Sequence, residues 1–220
     1  MPAIKADSPA QLEIAAFDFD GTLTRSDSLL PFLRRSLGWP GFLRALLRAS
    51  PWLAAYACGL LGNQSAKAKL LQLSLGGRSL AEIERWSADF VSHYLPLQWQ
   101  PDIMARLRQH QQSGHCCVIV SASPGIYLHS VGELLGLDAV ICTELEVQAG
   151  ALTGRMATPN CYGEEKVRRL QVWLAEQGEQ RPMVLHAYGD SRGDVPLLNL
   201  ADYAWYKGQP RARKTAANQP

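Results

Sequence analysis

One long stretch of this chain contains no acid. From Ser28 to Ala81 there is not one Asp or Glu, while the same stretch carries Arg34, Arg35, Arg44, Arg48, Lys67, Lys69 and Arg78. A one-signed segment points to an anionic contact, either a second charged group on a ligand or an anionic membrane surface. The net charge of the whole chain is only +2, too small to argue for nucleic acid. Paired cysteine spacing is missing as well. Cys58, Cys116, Cys117, Cys142 and Cys161 are odd in number and form no CxxC, which reads as reduced thiols and a cytoplasmic setting. No apolar run is long enough to span a bilayer: residues 49–62 are uncharged, but about 20 residues are needed. The opening "MPAIKADSPAQLE" carries charges and no apolar core, so it does not read as a signal peptide.

What is present is enough for one large domain or a domain with a sizeable insert: 220 residues, 47% hydrophobic and 19% charged. Short apolar runs predict strands at 12–17, 116–121, 139–143, 183–189 and 203–206. Amphipathic runs predict helices at 101–114, 124–136 and 163–178, with a short one at 195–200. Alternation around Ala149-Gly150 predicts a hairpin over 144–156. Strand alternating with helix implies an α/β fold, a Rossmann-like, mostly parallel sheet flanked by helices. The alternation breaks between residues 27 and 98, which read as an all-helical cap inserted after the first strand. The expected division is therefore 1–26 with 99–220 as the core and 27–98 as the cap. Pro51 is expected to break or kink the cap helix around it. The tail from Lys207 is polar and basic and is expected to fray.

Three strand ends carry unusual polar residues: Asp18-Phe19-Asp20-Gly21-Thr22, Ser121-Ala122-Ser123 and Gly189-Asp190-Ser191-Arg192-Gly193-Asp194. In open α/β sheets, ligands bind at the carboxyl ends of strands. If these three strands are neighbours, several carboxylates share one crevice, which favours a hard divalent cation on oxygen ligands, Mg²⁺. The cysteines and histidines do not cluster with these acids along the chain, so zinc is not expected there. Thr22, Ser121 and the turn N–H groups offer phosphate donors, and Lys166 offers a cation. Asp18 and Asp20, two residues apart, can face one crevice while Phe19 points to the core. One could attack phosphorus and the other act as general acid and base. Gly21 allows a tight turn close to phosphate. Each residue also has a plainer reading. Ser121 or Ser123 could cap the following helix, Lys166 has Arg168 and Arg169 as rivals, and Asp194 could be only a cap.

The motifs together are similar to those of the haloacid dehalogenase superfamily. "FDFDGTLT" resembles the first motif, "VIVSAS" the second, Lys166 in "YGEEKV" the third and "GDSRGDVPLL" the fourth, in the expected order over residues 17–198. A cap straight after the first motif resembles the phosphoserine-phosphatase-like branch, subfamily IB. The resemblance implies Asp18 as nucleophile and metal ligand, and Asp20 as general acid/base and a metal ligand through its carbonyl. It implies Gly21, Thr22, Ser121 and Ala122 at the phosphate and Lys166 neutralising it. Asp190 would bind Mg²⁺ and Asp194 support the metal shell. Two departures weaken phosphoserine as substrate. Gly193 stands where that branch has Asn, and Asp27 stands where a Glu grips the substrate amine.

The expected activity is Mg²⁺-dependent hydrolysis of a small phosphomonoester through an aspartyl-phosphate. A second expectation comes from the cap. Residues 42–62 place Arg44 and Arg48 one turn apart beside Leu43, Leu46 and Leu47, with Trp39 and Trp52 nearby, as an amphipathic surface helix would. The plainer reading packs this stretch on the rest of the cap. "CYGEEKV" and the position of the apolar stretch also resemble bacterial phosphatidylglycerophosphate phosphatases, so a lipid phosphate is the alternative substrate. That reading adds peripheral contact with the inner face of the membrane. A catalytically silent phosphate-binding module is the third reading. The oligomeric state is not legible.

Overall fold

The computed structural model describes residues 12–177 and 183–212. The opening segment, the end of the helix expected at 163–178 and the last part of the tail lie outside the described residues. Among the described residues there are eight strands: β1 (Leu12–Phe17), β2 (Cys116–Pro124), β3 (Ala139–Thr143), β4 (Leu145–Gln148), β5 (Ala151–Met156), β6 (Met183–Gly189), β7 (Tyr203–Tyr206) and β8 (Gln209–Arg211). Six of them form one sheet in the order β3-β2-β1-β6-β7-β8, parallel except for β8, while β4 and β5 form a separate hairpin. The α-helices of the described residues are α1 (Leu29–Ala57), α2 (Asn63–Leu75), α3 (Leu80–Asp89), α4 (Pro101–Gln112), α5 (Gly125–Leu135), α6 (Glu164–Glu176) and α7 (Val195–Leu200).

The central strand is apolar on both faces, as a parallel sheet requires when helices cover it on each side. Ala15 and Phe17 of β1, Cys117 and Ile119 of β2 and Tyr188 of β6 join one core with α4, α5 and the cap. Ile14 and Ala16, Val118 and Val120, and Leu185 and Ala187 point the other way, into a core with Leu170 of α6 and Leu197 of α7. A fully buried Leu or Phe contributes about 1.5–3 kcal/mol relative to exposure, so these two layers fix which strands are central. β1 lies between β2 and β6. The three polar strand ends are therefore adjacent.

The extra helical region after β1 shares the first core. Phe32 of α1 and Phe90 pack on Tyr127 of α5, with ring centroids 4.9 and 5.5 Å away. Ser28 Oγ and Tyr127 Oη are hydrogen-bonded at 2.9 Å. The hairpin β4–β5 reaches the same region through backbone bonds: Gly77 N donates to Leu152 O, Leu152 N to Arg78 O and Leu80 N to Gly150 O.

Three expectations need correction. The helix continues through Pro51, and the break in α1 falls instead at Gly38 (φ 65°, ψ 170°), a conformation that disfavours any residue with a Cβ. β2 runs to Pro124 and α5 starts at Gly125, because Pro124, extended at ψ 140°, precedes the first helical turn. The tail does not fray at Lys207: that residue and Gly208 turn the chain so that β8 pairs antiparallel with β7. All five cysteines are free, and Cys161 is buried beside Leu170. Among the described residues, no helix is long and apolar enough to cross a membrane.

Candidate active site

The carboxyl end of β1 leads straight into a tight turn over Phe19–Leu23, in which Asp20 is extended (ψ 124°) and Gly21 has φ 76°. Phe19 is fully buried, which anchors the turn and leaves the flanking acids to the crevice. Gly21 is required twice. Its φ suits glycine, and a Cβ there would sit 2.3 Å from Asp190 Oδ2. Gly21→Ala is expected to cost about 1–3 kcal/mol of stability and most of the activity, read by thermal melt and turnover. Unchanged values in both would show that the turn tolerates the displacement of Asp190.

Lys166, at the start of α6, is 2% exposed. Its Nζ donates to Asp18 Oδ1 at 2.6 Å and to Asp194 Oδ1 at 2.5 Å. Asp194 Oδ2 accepts from Asp190 N at 3.2 Å, Ser191 N at 2.9 Å and Ser191 Oγ at 2.7 Å. Both oxygens of Asp194 are thus engaged, and this residue holds the 190–191 turn and the lysine in place. Thr22 Oγ1 donates to Asp190 Oδ1 at 3.3 Å, so the Thr22 hydroxyl orients that carboxylate. Asp20 faces the other side. Its Oδ1 accepts from Ser28 N at 2.8 Å, and its Oδ2 accepts from Ser123 Oγ.

Burial pushes Asp18 up to about 7, against the pull of Lys166. Burial, then the charge of Asp27, push Asp20 up to about 6, partly offset by Ser123 and Ser28. Asp190 is raised by burial and by Asp194. In Asp194, burial is outweighed by Lys166 and Ser191, and its carboxyl lies below the usual range. Burial lowers Lys166, but Asp18 and Asp194 more than reverse this, so it stays charged. One lysine thus faces three carboxylates, and Asp18, Asp190 and Asp194 each offer an oxygen within 4.8 Å of the others. An all-oxygen cluster with two acids short of positive charge fits a hard divalent cation.

Above these groups is a cavity of about 620 Å³. Its floor includes Asp18, Asp20, Gly21, Ser121, Ala122, Lys166 and Asp190. Its roof comes from the cap: Leu29, Leu30, Leu53, Tyr56, Lys67 and Leu70. Asp27 also lines it, but its Oδ1 accepts from Leu29 N at 3.0 Å, as a helix cap does. Ser121 is buried, and its Oγ accepts from Ser123 N. Of the expected site residues, Asp18, Asp20, Gly21, Asp27, Ser121, Ala122, Lys166 and Asp190 line this cavity, while Thr22 and Asp194 hold Asp190 from outside it. Three contributors went unrecognised. Lys67 Nζ donates to Ala122 O at 2.6 Å, and burial lowers its pKa. Asn160, buried at the floor, accepts from Thr143 Oγ1 at 3.2 Å. Ser123 holds Asp20. Lys67 was visible only as one of seven basic residues in the acid-free stretch. Gly193 also finds its reason here: a Cβ would fall 2.3 Å from the Tyr162 ring, so Tyr162 fills the place of a side chain.

Comparison with known proteins agrees with this architecture. The model of the haloacid dehalogenase-like hydrolase family matches residues 15–199. Protein CicA of Caulobacter vibrioides is 34% identical over 201 residues, covering 90% of this chain and 88% of its own. A histidinol-phosphatase of Neisseria meningitidis is 29% identical, covering 85% and 86%. A crystal structure of a protein of unknown function from Bordetella pertussis Tohama I superposes with a TM-score of 0.75 at 26% identity, covering 89% of each chain. A substrate-bound phosphoserine phosphatase shares the fold at TM-score 0.62 and 18% identity, covering 90% and 87%. The chain belongs to the haloacid dehalogenase-like hydrolases, as an enzyme whose relatives include named phosphatases.

Proposed function

We propose that the protein is a Mg²⁺-dependent phosphomonoesterase that works through an aspartyl-phosphate on Asp18, with residues 1–26 and 99–220 as catalytic core and 27–98 as cap. The observation that carries this reading is the convergence of Asp18, Asp20, Asp190 and Lys166 on one cavity floor. Asp18 and Asp190, with the Asp20 carbonyl, would hold the ion, and Asp194 would position them. When bound, Mg²⁺ would neutralise phosphate charge and the buried carboxylates.

Asp18 is the better nucleophile of the pair because it is bonded to Lys166 and shares with Asp190 the cluster that would hold the ion, the two cations that would compensate phosphate charge. One Asp18 oxygen attacks phosphorus as the ester P–O bond breaks. Lys166 and the hydroxyl of Ser121 stabilise the phosphoryl group, together with the backbone N–H groups of Gly21, Thr22 and Ala122. Asp20 lies toward the cap, where the leaving alcohol must depart, and its raised pKa keeps a protonated fraction available. It donates that proton to the alkoxide, then takes one from the water that attacks the aspartyl-phosphate. Phosphate leaves and Asp18 is regenerated.

The substrate is read as a small phosphomonoester whose alcohol carries apolar surface, since Leu29, Leu30, Leu53, Tyr56 and Leu70 roof the cavity. One feature favours the lipid alternative. Trp39, Leu43, Leu47 and Leu60 are exposed on or beside α1, and the basic groups of Arg34 and Lys69 lie over Trp39 and Trp52. The inner residues Phe42, Ala45 and Ala49 pack as the plainer reading expects.

The test is phosphate release with Mg²⁺ or chelator, across phosphoserine, histidinol phosphate, sugar and nucleotide phosphates and phosphatidylglycerophosphate in micelles. Selective turnover of a soluble ester supports the first reading, and of the lipid the second. No metal-dependent release from any of them rejects both and leaves a silent binder. Lys67 is expected to contact the anionic end of the substrate, so Lys67→Met should raise KM by roughly tenfold with a smaller change in kcat. A lower melting temperature with unchanged KM would instead make Lys67 a brace between cap and β2.

A further inference from the structure

Three histidines converge on the same sheet, toward the amino ends of its strands. His110 lies near the end of α4, His115 just precedes β2, and His186 is in the middle of β6. His186 pairs with Ala15 of β1, four residues before Asp190 and thus roughly 13 Å along the strand from the carboxylate crevice. One ring nitrogen of each histidine lies within 4.8 Å of the others. The His110 and His186 rings meet edge to face with centroids 4.8 Å apart, and those of His115 and His186 are 5.9 Å apart.

The nitrogens divide into two sets. His110 Nε2 is hydrogen-bonded to Tyr188 Oη at 2.8 Å, and His186 Nε2 to Glu13 Oε2 at 2.6 Å. A phenol and a carboxylate thus fix two of the imidazoles from behind, as outer partners do for metal-ligating histidines. The remaining nitrogens of His110 and His115 face each other. His110 Nδ1 and His115 Nδ1 stand head to head at 2.8 Å, an arrangement that one proton at most can bridge. His186 Nδ1 is buried and has no hydrogen-bond partner among the described residues, a costly state for a polar atom. Neither feature is explained by packing. Tyr203 and Trp205 stack on His186 and hold its ring plane. Glu13 supplies negative charge beside the cluster. Arg106, whose guanidinium lies over Trp205 at 5.3 Å, is the opposing charge.

We propose that His110, His115 and His186 form a second metal site, for a first-row transition ion that favours imidazole, with Zn²⁺ as the type. Neutral nitrogen donors select such an ion, whereas the carboxylate crevice selects a hard one. His115 and His186 are only partly buried, which leaves an entry path. Binding replaces the His110–His115 hydrogen bond with two ligand bonds, and the bridging proton moves to Nε2 of the ring that held it, so both imidazoles stay neutral donors; on His110 the Tyr188 hydroxyl can then accept that N–H. The ion would join α4, the start of β2 and β6, three segments distant in sequence, and so act as a structural clamp.

The test uses tag-free, full-length protein held in millimolar Mg²⁺ to occupy the carboxylate crevice. Zn²⁺ is titrated by calorimetry, and Co²⁺ by its visible spectrum. The expected result is one equivalent bound, with Co²⁺ bands of low-coordinate nitrogen ligation, in both the unmodified protein and Asp190→Asn. His115→Gln and His186→Gln should each weaken binding at least about tenfold. Metal-free melts confirm folding, and the partly exposed His115 keeps the test readable if His186→Gln does not fold. The proposal is overturned by no binding in the Mg²⁺-loaded protein. It is equally overturned by binding undiminished in the folded histidine variants, or by binding lost in Asp190→Asn, which would place the ion among the carboxylates.

Discussion

Asp18→Asn is expected to lower phosphate release by at least about 10³-fold while the protein remains folded. The amide matches the carboxylate in shape, so packing at the end of β1 survives. It cannot form an acyl-phosphate, so the covalent route closes. The stability side of this prediction is as informative as the kinetic side. Burial already penalises the ionised form of Asp18, which is why its pKa rises to about 7. Removing that charge should therefore cost little, and the melting temperature should stay within a few degrees. Lys166 keeps Asp194 as its ionised partner. Turnover above one tenth of the starting rate would falsify the assignment of Asp18 as nucleophile. A collapse of the fold would mean instead that its pairing with Lys166 is structural first.

The second large effect is on stability. Lys166→Met should destabilise the protein by about 3–5 kcal/mol, the usual cost of breaking a buried ion pair from one side. That is a fall in melting temperature on the order of 10 °C. Asp18 and Asp194 are both buried and would be left facing each other without the cation between them. Methionine fills a similar length, so the loss reports charge rather than a cavity. The double variant Lys166→Met with Asp18→Asn separates the causes, because it removes one of the two stranded acids. Partial recovery of the melting temperature is expected. Equal melting temperatures for the single and double variants would sink the charge argument and point to packing around the α6 start. Either variant is expected to be inactive, so the readout is unfolding, not rate.

Much of this site could be read from the sequence because its chemistry is local. Asp18 and Asp20 are two residues apart on one turn, and Asp190 and Asp194 share another, so spacing alone brought each pair together. The strand assignments followed from apolar runs that the two-layer core requires. Adjacency of the three strand ends was a condition in the sequence and became a fact only through the order β2-β1-β6. Long-range partners were harder to see. Lys67 reaches Ala122 across 55 positions, and nothing in its neighbourhood distinguishes it from Lys69, whose amine bonds Gln72 on the surface. Ser123 was weighed only as a helix cap, yet its hydroxyl binds Asp20. Pro51 is the stronger local signal for a break, yet it is carried along within α1, and the break falls at Gly38, whose positive φ the sequence does not advertise. β8 was hidden in a polar, basic tail because an edge strand needs little apolar surface.

The hairpin β4–β5 also changes what the cap can do. It is tied to the chain just after α2 by three main-chain bonds, from Gly77 to Leu152, Leu152 to Arg78 and Leu80 to Gly150. On the other flank, the two crossings between core and cap are stitched together, with Arg25 N bonded to Gln98 O and Gln100 N to Leu23 O. A lid fastened along two borders does not swing like a door. Between the seams the tie is a side-chain one, Lys67 Nζ of α2 on Ala122 O. The wall that carries Leu53, Tyr56 and Lys67 is then held to the core by a bond that a substrate anion can replace, so on the proposed function recognition of the leaving group and access to the site would share that one contact.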